Sequence, residues 1–140
     1  MRILRTTALA LLIVAAILAL GACAATPGPL QGTQWRLVGW TLSSLRADEF
    51  AITATFADDR ISGSSGVNSY GGPCVLGPGA AISVGALAGT QMAGPEPAMR
   101  AESAYLTLLG QAKTYETKDG KLILYDQGGN ESLIFAAASK

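Results

Sequence analysis

The stretch Phe50-Ala51-Ile52-Thr53-Ala54-Thr55-Phe56-Ala57-Asp58-Asp59-Arg60-Ile61-Ser62-Gly63 alternates in hydropathy, so Phe50, Ile52, Ala54 and Phe56 share one side of an extended chain. Asp58-Asp59 then supply a turn, and Arg60 to Gly63 resumes as the hairpin partner. Upstream, Gln34 to Gly39 alternates in the same way, with Trp35 and Leu37 on one face. Trp40 falls on the opposite parity and faces the other way unless a bulge intervenes. Downstream, Gly63 to Gly79 holds six glycines and two prolines, a density that favours turns, bulges or a loop. Ala81 to Leu87 is a further strand candidate.

One helix signal begins at Pro95-Glu96-Pro97, where proline suits the first turn. Glu96 and Glu102 lie toward the end at which the helix dipole favours negative charge. Ala98, Ala101, Tyr105, Leu108 and Ala112 are spaced as one apolar stripe, broadened by Leu106 and Leu109. The rest returns to hairpin patterning. Thr114 to Lys118 and Lys121 to Tyr125 flank Asp119-Gly120, a strong two-residue turn, and Ser132 to Phe135 closes the sheet after Gly128-Gly129-Asn130. Strands, one helix, then strands predict an α+β domain, mainly antiparallel, with a partly open barrel-like sheet and one packed helix.

The N-terminus reads differently. Arg2 and Arg5 precede 13 residues, Ala8 to Leu20, without a polar side chain. A bilayer-spanning helix needs roughly 20, so residues 1–22 read as a secretory signal. Leu20-Gly21-Ala22-Cys23 resembles the lipobox of bacterial lipoproteins, which implies cleavage before Cys23 and acylation of that residue. Several acyl chains anchor stably where one is marginal. Residues 23–30 then form the lipidated cysteine and a flexible tether, and residues 31–138 the folded domain. Removing the signal leaves 8 basic against 10 acidic side chains, a balance of −2. The predicted location is the cell membrane or the outer membrane, lipid-anchored and facing the extracytoplasmic side.

Composition narrows the chemistry. The chain has no histidine, which excludes Ser-His-Asp and Cys-His catalysis and any imidazole metal site. Neutral overall charge gives no footprint for nucleic acid. Gly63-Ser64-Ser65-Gly66 is one residue short of a nucleophile elbow and has neither the lysine nor the helix of a phosphate cradle. Asp126, Asn130 and Glu131 lack the spacing of a calcium loop, and adjacent Asp58 and Asp59 cannot face one cleft as a glycosidase pair. No catalytic residue, metal ligand or cofactor is assigned. Cys74 has no partner within the chain if Cys23 is acylated, and reads as a half-buried small hydrophobe, with an intermolecular disulfide or a reactive thiol as the alternative.

Several segments in order resemble the META domain, the fold of HslJ-type bacterial envelope proteins. They are Gly32-Thr33-Gln34-Trp35-Arg36-Leu37-Val38, Phe56 with Asp58-Asp59-Arg60, Gly63-Ser64-Ser65-Gly66-Val67-Asn68, Tyr70-Gly71-Gly72, Thr90-Gln91-Met92-Ala93, Glu102 and Lys121-Leu122-Ile123-Leu124. The resemblance covers about Leu30 to Ala137. It implies roles around envelope stress, tolerance of hydrophobic antibiotics such as novobiocin, and secretion or motility. Many members carry cysteines, which look like a disulfide pair, at the positions of Val67 and Gly94. The expectation is a non-enzymatic envelope lipoprotein that meets another envelope protein, with Asn68, Ser69 and Tyr70 as the possible interaction loop. The alternative is an extracytoplasmic binder of a small apolar ligand within the partly open barrel.

Overall fold

The computed structural model describes residues 28–41 and 44–138. The signal segment and Cys23 lie outside them. The described strands and α-helix are β1 (Thr33–Trp40), β2 (Thr53–Ala57), β3 (Arg60–Ser64), β4 (Ser69–Gly77), β5 (Ala81–Val84), β6 (Ala88–Gly89), α1 (Glu96–Gln111), β7 (Thr114–Lys118), β8 (Lys121–Tyr125) and β9 (Glu131–Ala137), with short 3-10 turns at Ala47–Glu49 and Pro78–Ala80. All strand pairings are antiparallel, in the order β3-β2-β1-β9-β8-β7-β5-β4, and a β3–β4 pairing turns the row into a ring. β6 adds to β4. The thinnest seam is β5–β7, with Ala81 opposite Thr114 and the Ile82 N–H donating to the Lys113 carbonyl. This is the α+β, mainly antiparallel, partly barrel-like architecture that the hairpin patterning predicts.

The turns follow from their residues. Asp58 and Asp59 both take positive φ (52° and 55°), as do Asp119 and Gly120 (52° and 72°), the mirror-image geometry that matches strand twist in two-residue hairpins. In β1 the register shifts between Leu37 and Gly39 against β9, so a bulge does intervene. It turns Trp40 toward Phe50, ring centroids 6.5 Å apart, with the indole N–H donating to the Leu45 carbonyl at 2.7 Å.

The glycine-dense segment departs from the loop expectation. Most of it is β4, a nine-residue strand that bridges both halves of the ring. Glycine serves close approach there. A Cβ at Gly63 would lie 2.1 Å from the Thr53 carbonyl oxygen, and one at Gly72 would lie 2.6 Å from that of Ala86.

Leu37, Ile61, Leu122, Leu124, Leu133 and Phe135 fill the ring. α1 seats Ala101, Tyr105, Leu108 and Leu109 against this core, and Ala112, in extended backbone, ends the helix. Tyr105 meets Phe135 and Tyr70 edge-on, with centroids 6.3 and 5.5 Å apart. Each fully buried side chain of this size contributes roughly 1.5–3 kcal/mol. Leu30, assigned to the tether by composition, is fully buried in the core, so the folded unit already includes it. Among the described residues no helix is long and apolar enough to cross a membrane.

Candidate functional site

Polar side chains gather at one rim of the ring, where β3 ends and β4 begins. Gly66 at φ 113° lets the chain reverse between Ser65 and Asn68, and the Ser65 N–H donates to the Asn68 carbonyl at 2.8 Å. Glu102 reaches this reversal from the second turn of α1. Its Oε2 lies 2.6 Å from the Ser65 hydroxyl and accepts the Asn68 backbone N–H at 2.9 Å, while Oε1 accepts the Asn68 side-chain amide at 2.8 Å. Asn68 continues the chain of contacts. Its Oδ1 accepts the Met92 backbone N–H at 2.7 Å and the Thr90 hydroxyl at 2.8 Å, and its Nδ2 donates to the Met92 carbonyl at 3.1 Å. One carboxylate thus ties α1, the β3–β4 reversal and residues 90–92 together.

Burial opposes charge on Glu102. The hydrogen bonds from the Ser65 hydroxyl, the Asn68 side chain and the backbone N–H groups of Asn68 and Val67 outweigh that cost and hold the carboxyl below its ordinary value. It stays an acceptor and is a poor proton donor at neutral pH. Behind it, the Tyr70 hydroxyl donates to the Thr53 carbonyl at 3.0 Å and accepts from Tyr105 at 2.5 Å. Both phenols are raised above the ordinary value, chiefly by burial. Among the described residues every buried side-chain nitrogen or oxygen has a partner, which is how a cluster that fixes structure looks.

Of the three candidate interaction residues, Asn68 and Tyr70 are buried and Ser69 is exposed. Ser69 and Tyr70 begin β4. The side chains open to a partner at this rim are therefore those of Ser69, Thr90, Gln91 and Met92, the last 58% exposed. Ser69, Thr90 and Gln91 border a cleft of about 130 Å³ whose walls include Tyr70, Leu87, Gly89 and Leu106. Dipole reasoning alone missed the role of Glu102. The signal was a carboxylate on the apolar stripe itself, one residue after Ala101 and three before Tyr105.

Asp126 caps its own turn, accepting the N–H groups of Gly128 at 2.8 Å and Asn130 at 3.0 Å. Asp58 and Asp59 are exposed at the β2–β3 turn. Cys74 is buried and its thiol is pushed up to about 11 by burial and by the nearby Asp59 charge, so it is a packing residue with little thiolate. Among the described residues no three His, Cys, Asp or Glu side chains converge on a metal position.

The fold has solved counterparts. A protein from Burkholderia xenovorans, determined by NMR, superposes with a TM-score of 0.65 at 29% identity, over 79% of this chain and 85% of that one. A second NMR structure gives 0.60 at 18% identity over 79% and 93%. The crystal structure of a DUF4847 family protein from Bacteroides vulgatus gives 0.59 at 14% over 80% and 96%, a likeness of fold alone. No curated protein sequence matches the chain. The META domain family model matches residues 28–139, which takes in every strand and the helix. The chain belongs to the META domain family.

Proposed function

We propose that this protein is a non-enzymatic lipoprotein of the bacterial cell envelope, anchored through Cys23 on the extracytoplasmic side. Its META domain serves as a protein-interaction module in stress or antibiotic tolerance. The observation that carries the reading is the Glu102 cluster. Its polar atoms are spent on one another, leaving a rigid rim and no free acid–base pair. A rim so fixed loses little freedom when a partner docks. The alternative, a small apolar ligand inside the ring, finds that interior occupied by Tyr105, Phe135, Leu124 and Ile61.

Crosslinking in intact cells followed by mass spectrometry tests the reading. Wild-type protein should capture a discrete envelope protein, and a variant with Ser69, Gln91 and Met92 replaced together should lose it with thermal stability unchanged. Undiminished capture by that variant removes the rim as the contact surface. Cys23 without an acyl group removes the anchor.

A further inference from the structure

The folded chain begins at one rim of the ring. The Gly32 N–H donates to the Phe56 carbonyl at 2.7 Å, and the Asp58 N–H donates to Gln31 Oε1 at 3.0 Å. Gly28 lies against Leu76, near the end of β4. The Asp119-Gly120 turn shares this rim, because the Gly120 carbonyl accepts the Ala137 N–H and Ala137 pairs with Trp35. The Glu102 cluster occupies the opposite rim. β2 starts there at Thr53, β3 ends there at Ser64, and β4 starts there at Ser69.

Resting on the anchor reading above, we infer that the rim bearing the Asp58-Asp59 and Asp119-Gly120 turns faces the lipid surface, and that the rim bearing Met92 faces away from it. Chain length decides this. Five residue steps separate Cys23 from Gly28, a reach of at most about 18 Å fully extended. β1 alone, from Thr33 to Trp40, spans about 23 Å along the strand, or about 18 Å along the axis at a barrel's usual tilt. A fully stretched tether would be used up merely in bringing the far rim level with the anchor. Among the described residues the near rim is chiefly charged, with Val75, 55% exposed, as its one large exposed apolar side chain, too little to draw it into lipid. Its exposed charges balance, with Asp58, Asp59 and Asp119 beside Arg60, Lys118 and Lys121. The bilayer therefore sets the orientation through the tether and is not itself a binding partner of the rim.

The test uses the full acylated chain in phospholipid vesicles whose headgroups carry a short-range energy-transfer acceptor. Donor dyes are attached at A57C or K118C on the near rim and at M92C on the far rim; Cys74 is buried and does not compete for label. Transfer should be several-fold stronger from 57 and 118 than from 92. Inserting ten residues between Ala25 and Thr26 should make the three converge. Equal transfer with the native tether, or stronger transfer from 92, overturns the orientation while leaving the anchor standing. Protein that stays off the vesicles, with Cys23 unmodified, overturns both.

Discussion

Gly94 lies so close to Val67 that a Cβ added to it would sit 3.5 Å from the Val67 Cβ and 2.8 Å from its Cγ2. These are the positions at which the family resemblance implies a disulfide, and 3.5 Å is at the short end of the Cβ separation a disulfide needs. The double variant V67C/G94C should therefore oxidise spontaneously, closing a loop worth about 3–4 kcal/mol on chain-entropy grounds. G94A alone, whose methyl meets the intact valine, should cost about 1 kcal/mol. Thermal melts with and without reductant separate the two effects. A double variant that melts no higher when oxidised contradicts the geometry.

Glu102 makes stability depend on pH. Its folded-state value is depressed, so its contribution is complete above the unfolded value near 4.5 and is lost as pH falls through the lower folded value. E102Q puts an amide donor among donors and should cost about 1–3 kcal/mol at pH 7. It should also flatten the acid limb of the melting curve below about pH 4.5. An E102Q protein as stable as wild type across pH 3 to 7 would show that the cluster holds nothing together.

The two buried phenols should respond unequally. Y105F removes one donor and leaves the Tyr70–Thr53 bond intact, a loss of about 1 kcal/mol. Y70F strands both the Thr53 carbonyl and the Tyr105 hydroxyl, so it should cost at least twice as much. Urea titrations of the single variants check the order, and Y105F proving the worse of the two would mean that the hydrogen-bond direction is reversed.

Two glycines should behave oppositely toward alanine. In G63A the new methyl meets the Thr53 backbone at 2.1 Å, so the β2–β3 pairing must part, at a cost of about 3 kcal/mol or more. Gly110 lies in α1 with nothing within 4 Å of a Cβ. G110A should raise stability by up to about 1 kcal/mol. A circular-dichroism melt of each settles the sign.

The hairpins were legible because their information is local. Alternation around Ile52 and Ile61 with two turn aspartates specifies pairing, face and turn together. The helix was equally plain from its stripe. What could not be read was β4, because glycines placed for backbone contact look the same in sequence as glycines placed for turns. Ser65, Asn68, Thr90 and Glu102 were invisible as a group for a related reason. They come from three separate stretches and converge only after the ring has brought the β3–β4 reversal beneath α1. Asn68 and Tyr70 drew notice as surface residues, yet both are claimed by partners remote in sequence.

β9 lies between β1 and β8, so the first and last of the described strands are neighbours. Until Glu131–Ala137 is in hand, β1 and β8 each present a raw edge that only β9 covers. The order of manufacture is thus opposed to the order of assembly. A nascent chain can gather its hairpins at once, yet the ring cannot shut until Glu131–Ala137 is available. Until then both edges stay open to mispairing with another copy of the chain.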